Sequence, residues 1–276
     1  MKVKLFGTVL LCAVLLLSGA ACGGAAPAPT PTPTPTPVEM SAEEIVDAAL
    51  AAGAELDTCQ FDMDMEMTAI GGMAPGTMAI HATGAIDEPN RKMHIDMAML
   101  MSMTGLGDME ASMEMYLVGD WVYMRMEMYG EEMWMKTPMT EELWEEQDIS
   151  SQQLDFLEDF VGVELLGTET VDGIECYKLD VTPDLEKLWD WAQMQGGIEE
   201  LEPGADLEEI ITDLSITEWI ATDTYFPVKA VIEMTMTIES ETIDMAITIT
   251  MYDFNEPVTI VLPPEAADAV EVPSFD

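Results

Sequence analysis

The stretch Phe61-Asp62-Met63-Asp64-Met65-Glu66-Met67-Thr68 alternates apolar and polar side chains with a period of two. A strand turns successive side chains to opposite faces, so this spacing predicts a strand with one apolar and one solvated face. The pattern recurs downstream. After the glycine and proline cluster Gly71-Gly72 to Pro75-Gly76 it returns as Met78, Ile80, Ala82 and Ile86. It continues through Met93, Ile95, Met97, Met99, Met101 and Met103, then Met109, Met113, Met115 and Leu117. Gly119-Asp120 turns the chain, and Val122, Met124, Met126 and Met128 follow. Runs separated only by short turns predict an antiparallel meander of five or six strands. Towards the C-terminus, Ile232, Met234, Met236 and Ile238 face Ile243, Met245, Ile247, Ile249 and Met251. A two-residue turn at Ser240-Glu241 would pair Met236 with Met245 and Met234 with Ile247.

Helical spacing is confined to a few places. Ser41-Ala42-Glu43-Glu44 reads as an N-cap with acid in the first turn, followed by Ile45, Ala48, Ala49 and Ala52 and closed by Gly53. Thr140 to Leu157, Pro183 to Gln195 and Leu207 to Leu214 read as further short helices, and Ile216 to Thr222 as a strand. Val163 to Thr170 and Ile174 to Val181 form a hairpin around Asp172-Gly173. Strands apolar on one side only need a cover, and the helices are the natural one. The expected class is α+β: a curved antiparallel sheet, a half-barrel wrapped over a few short helices, in a single domain over residues 41–276.

The N-terminal residues have a different physics. Lys2 and Lys4 precede an apolar run from Leu5 to Leu17, too short to span a bilayer comfortably, which ends in Leu17-Ser18-Gly19-Ala20-Ala21-Cys22. Small residues leading to a cysteine predict a lipoprotein signal peptide over residues 1–21, with acylation of Cys22; the alternative is an ordinary signal peptide cut after Ala21, with Cys22 an incidental free thiol. Two or three acyl chains on one residue would anchor the protein to a membrane, since one chain alone binds marginally. Residues 22–40 hold Pro27, Pro29, Pro31, Pro33, Pro35 and Pro37 alternating with Ala or Thr, an extended tether of roughly 3 Å per residue. The expected location is extracytoplasmic, lipid-anchored to the cell membrane.

The chain carries 54 acidic residues against nine Lys and Arg, a formal net charge of −45. Nucleic acid is excluded as a partner, because nothing could replace the phosphate counterions. Beyond Cys12 and Cys22 only Cys59 and Cys176 remain, and two cysteines in an exported domain point to a disulfide between them. Against the bridge, Cys59 shares a face with Phe61 and Met63, whereas Cys176 shares one with Ile174 and Lys178.

Most of the 26 methionines fall on the apolar parity of the strands. Methionine is unbranched and polarizable, and it refills irregular space where β-branched residues would impose one shape. These side chains can simply be core. They can also line a pliable cavity for lipids or another hydrophobic small molecule, built from Met63, Met65, Met67, Met78, Ile80, Met97, Met99 and Met101. Met113, Met115, Met124, Met126, Met234, Met236, Met245 and Ile247 would complete it. A third reading is Cu(I) handling through Met63-x-Met65-x-Met67, since thioethers suit Cu(I). Inward-turned sulfurs without accompanying His or Cys speak against that reading.

Catalysis has no candidate residues. His81 and His94 both sit on the polar parity, as solvated neighbours of carboxylates, and no nucleophile–base, phosphate-loop or zinc spacing is visible. Asp62, Asp64 and Glu66 read as a solvated strand face, not a calcium site. Neither a metal nor a cofactor is expected, and a protein partner in the envelope is the alternative to a ligand.

Four segments carry a family resemblance. Gly119-Asp120-Trp121-Val122-Tyr123-Met124 with Trp134-Met135-Lys136 is similar to the central strands of LppX/LprG-type lipoproteins, relatives of the LolA/LolB carriers. Asp172-Gly173-Ile174-Glu175-Cys176-Tyr177-Lys178-Leu179 fits their hairpin. Glu218-Trp219-Ile220-Ala221-Thr222-Asp223-Thr224-Tyr225-Phe226-Pro227-Val228-Lys229 resembles a strand pair. Tyr252-Asp253-Phe254-Asn255-Glu256-Pro257-Val258, ending in Leu262-Pro263-Pro264, resembles the closing segment. The resemblance spans roughly residues 41 to 264. It implies a half-barrel enclosing a cavity for acyl chains, without catalytic residues. The charge and the methionine content depart from that pattern.

Overall fold

The computed structural model describes residues 40–71, 75–105, 107–128, 130–139, 160–185, 210–238 and 241–272. It opens with helix α1 (Ala42–Gly53). The Ser41 hydroxyl accepts from the Glu44 amide at 3.2 Å, and the Glu44 carboxylate accepts from the Ser41 amide at 2.8 Å, the reciprocal box read from the sequence. Ala42, Ile45, Val46 and Ala49 form its buried stripe.

The first meander is β1 (Thr58–Gly71), β2 (Gly76–Asp87), β3 (Lys92–Met103), β4 (Gly107–Val118), β5 (Trp121–Met128) and β6 (Glu131–Pro138). A second is β7 (Phe160–Val171), β8 (Ile174–Pro183), β9 (Ile211–Ala221), β10 (Pro227–Ile238) and β11 (Glu241–Tyr252). Pairing of β1 with β11 joins them into one large, open, curved antiparallel sheet. The strand order is β12-β6-β5-β4-β3-β2-β1-β11-β10-β9-β8-β7, where β12 (Val270–Glu271) lies parallel to β6 at one edge. The Asp172-Gly173 turn has φ of 48° and 89°, the left-handed pair that a two-residue hairpin matched to strand twist requires.

Three expectations are corrected here. Met234 pairs with Met245, and Met236 with Ile243, so the register slips by two from the expected one and Glu241 is already paired, opposite Ile238. A slip of two keeps every side chain on its face, which is why the pattern could not see it. Leu207 to Leu214 is not wholly helical, because Ile211–Leu214 opens β9 and pairs with β10. The few short helices reduce to α1 as the one α-helix of any length among the described residues. The segments 140–157 and 183–195 fall outside those residues, apart from Pro183, which closes β8, and Asp184 and Leu185 after it.

The buried core sits in two places on the apolar face. α1 packs with Leu179, Val181, Ile216 and Ile220 over β8 and β9. Cys59, Ile86, Met93, Leu117 and Met251 form a second cluster at one end of the central strands. On the opposite face, Cys176, Trp219, Ala221 and Val228 make a third. Cys59 and Cys176 are both buried free thiols, with β11, β10 and β9 standing between their strands, so the expected disulfide does not form. Burial pushes the Cys59 thiol up to about 11 and raises that of Cys176 as well.

Candidate functional site: the methionine face

Because all central pairings keep apolar opposite apolar, the methionines fall into rows that cross the sheet. Nearest the hairpin tips, Met109, Met101, Met78, Met67, Met245 and Met234 are consecutive cross-strand partners over β4, β3, β2, β1, β11 and β10. The next row holds Met99, Ile80, Met65 and Ile247. The row below holds Met126, Met113, Met97, Ala82 and Met63, and below it Met124 pairs with Met115. Directly opposed side chains on one face sit roughly 5 Å apart at Cβ, so each row is a continuous band of thioethers and methyls.

All the side chains proposed above for a cavity, Met236 included, therefore share one face, and all are half-buried. None belongs to the buried core, whereas Met93, Ile86, Leu117 and Met251 at the other end of the same strands do. Exposure thus rises along the strands from a packed end to the hairpin tips.

The polar face is different. A groove of about 1060 Å³ runs over the central strands, with Asp64, Glu66, His81, Glu110 and Glu127 in its lining; of the expected cavity residues it takes in Met65, Ile80 and Met99. His81 Nδ1 lies 2.7 Å from Asp64 Oδ1 at the surface. Next to the groove, Arg125 gathers Glu114 at 2.6 Å and Glu127 and Glu132 at 3.2 Å each. His94 corrects its reading as a solvated neighbour of carboxylates. It stacks on Tyr116 with ring centroids 4.3 Å apart, and its Nε2 is buried without a hydrogen-bond partner among the described residues. On β8–β10, Lys178 and Lys229 lie 4.9 and 5.1 Å from the Trp219 ring centroid, and Glu169 accepts from both Trp219 Nε1 and Lys178 Nζ. These contacts neutralise part of an acidic surface and offer no reacting group. Among the described residues, no cluster of His, Cys, Asp and Glu is arranged to hold a metal.

One residue of the apolar face escaped the sequence reading. Glu218 on β9 has the parity of Ile216 and Ile220 and is only 9% exposed. Burial alone pushes its carboxyl up to about 8. The signal in the sequence is an acid between two isoleucines at strand spacing, Ile216 and Ile220.

Solved proteins of related outline include two mycobacterial lipoproteins and a LolA superfamily protein. Lipoprotein LppX of Mycobacterium tuberculosis is 16% identical with a TM-score of 0.40, covering 79% of this chain and 96% of that one. LprF of Mycobacterium bovis is 15% identical with a TM-score of 0.42, covering 80% and 96%. A LolA superfamily protein of Nitrosomonas europaea is 12% identical with a TM-score of 0.24, covering 82% and 97%. No curated protein matches the chain. Residues 41–271 match the model described as "Family of unknown function (DUF6612)", and the chain belongs to that family.

Proposed function

We propose that the protein is an exported lipoprotein, anchored through Cys22, that binds or shuttles acyl chains along its methionine face. One observation carries this reading. The rows from Met67 to Met234 and from Met65 to Ile247 stay half-buried, while core residues of the same strands are closed off. A contiguous apolar surface that is not closed into the core is the kind of surface a hydrophobic partner covers. Its thioethers can adjust to chains of different shape at little cost. The groove on the other face is lined with carboxylates, which would repel an anionic lipid and offer an acyl chain little to bury against.

The hairpin tips support the membrane side of the proposal. Residues 67–80 and 97–107 contain no ionisable side chain in a chain of net charge −45. These two runs end at neighbouring tips of the sheet, joined where the Thr104 amide donates to the Pro75 carbonyl at 3.0 Å. Ile70 and Leu100, within them, are exposed large hydrophobics. Flanking tips carry Glu127 and Glu132 on one side and Glu241 on the other. An uncharged window of this kind lets an acidic domain approach a bilayer, and the tether of residues 22–40 gives it reach.

Solvent extraction and mass spectrometry of protein purified from native membranes tests the proposal. Co-purifying acyl lipid, and uptake of added fatty acid by the stripped protein, are expected. Protein that extracts clean and takes up none would leave an anchored protein-binding scaffold instead.

A further inference from the structure

Glu218 stands at a boundary. On one side its cross-strand partner is Leu179, fully buried, and Ile216 and Ile220 before and after it on β9 lie in the cluster covered by α1. On the other side its partner is Ala230, whose small side chain is followed across the sheet by half-buried Ile249 and Met63. The carboxyl therefore sits in one cross-sheet row with Met63, Ala82, Met97 and Met113. It makes no hydrogen bond or ion pair with any described residue. A buried polar group without a partner costs a protein free energy, and such groups concentrate where a ligand supplies the partner.

We propose that Glu218 is the polar anchor of the methionine face, its carboxyl hydrogen-bonding the carbonyl oxygen of an acyl lipid laid along the rows. This rests on the acyl-binding reading and adds the chemical group that the site recognises. Around neutral pH the carboxyl is protonated, because burial disfavours its charge and no cation among the described residues faces it. The elements packed around it present Tyr177, Leu179 and Val181 from β8, Ala230 and Ile232 from β10, and Ile45, Val46 and Ala49 from α1. Of these only Tyr177 carries a polar side-chain group, and the acids of α1, Glu43, Glu44 and Asp47, are exposed. A protonated carboxyl offers one O–H donor and a carbonyl acceptor. That donor matches an ester or acid carbonyl, while the acyl tail follows the thioethers. An apolar substitute at position 218 would hold the tail and lose the head.

The test uses two probes on the full chain: pyrene, which has no hydrogen-bonding group, and methyl palmitate, a neutral ester that displaces it. Glu218→Leu is expected to weaken methyl palmitate about tenfold, the effect of one buried hydrogen bond, and to leave pyrene unchanged. Glu218→Gln, which keeps a donor and an acceptor, should stay within about twofold. In the unmodified chain the ester should bind less well at pH 9 than at pH 6, and Glu218→Gln should remove that dependence. Ester binding indifferent to pH in the unmodified chain, or equal in Glu218→Leu and wild type, overturns the assignment while pyrene binding still stands. Failure of the unmodified chain to bind either probe overturns the acyl-binding reading and this one with it.

Discussion

The ring of Phe61 lies over Gly84, its direct cross-strand partner, in the space that a side chain at position 84 would occupy. Glycine in a strand interior weakens it, and an aromatic ring from the neighbouring strand restores the lost packing. Phe61 thereby joins the cluster of Cys59, Ile86, Met93, Leu117 and Met251 that closes one end of the apolar face. Gly84→Ala should cost about 1–3 kcal/mol by forcing the ring away. Phe61→Ala should cost about 3 kcal/mol through the gap it leaves. Urea denaturation of each variant measures both. A Gly84→Ala variant as stable as wild type would show that the ring is not held in place.

Arg125 is the single cation among Glu114, Glu127 and Glu132, and Glu114 also accepts from Tyr116 while Glu132 accepts from Trp134. Its removal leaves three carboxylates facing one another across β4, β5 and β6. Arg125→Gln should lower stability by up to about 1 kcal/mol in dilute buffer, and less in high salt, where repulsion is screened. Midpoints measured at two ionic strengths provide the check.

Stability should also depend on pH through Glu218. Its folded-state value, about 8, lies above the ordinary carboxylate value of 4.5. The contribution is therefore fully present at pH 4 and below. It is lost as pH rises from that range through about 8, because the unfolded chain ionises first and the fold must then carry a buried charge. The loss should be on the order of 3–5 kcal/mol. Other acids titrate over the same range, so the useful quantity is the difference between wild type and Glu218→Gln at each pH. A difference that does not change between pH 5 and pH 9 would contradict the buried position.

Cys59 and Cys176 should behave as protected thiols. Both are buried, and burial raises both thiols, so the reactive thiolate is scarce. Iodoacetamide should leave both unmodified in the native protein and alkylate both in denaturant without reductant. Alkylation that requires reductant would mean that the bridge exists after all.

What could be seen in the sequence was whatever depends on side-chain parity: the strands, their apolar face, the Asp172-Gly173 turn and the capped first helix. Register was not visible, since Met236 opposite Met245 and Met236 opposite Ile243 satisfy the same alternation. Ile211 and Leu214 have spacing that suits a helix, and pairing with β10 overrides it. The reading of His94 followed its polar parity and could not anticipate the stack on Tyr116. The disulfide was argued from compartment and number, neither of which knows that three strands intervene. Glu218 was missed because an acid in an acidic chain attracts no notice until its burial is known.

The central claim is that an acyl chain lies against the half-buried methionines and not in the packed core. Methyl-labelled methionine NMR of the stripped protein, titrated with palmitate, addresses it residue by residue. The account predicts shifts for Met63, Met65, Met67, Met78, Met99 and Met245 while Met93 and Met251 stay unmoved. A spectrum that does not respond to palmitate, or one in which Met93 and Met251 move as much as the rows above them, would contradict it.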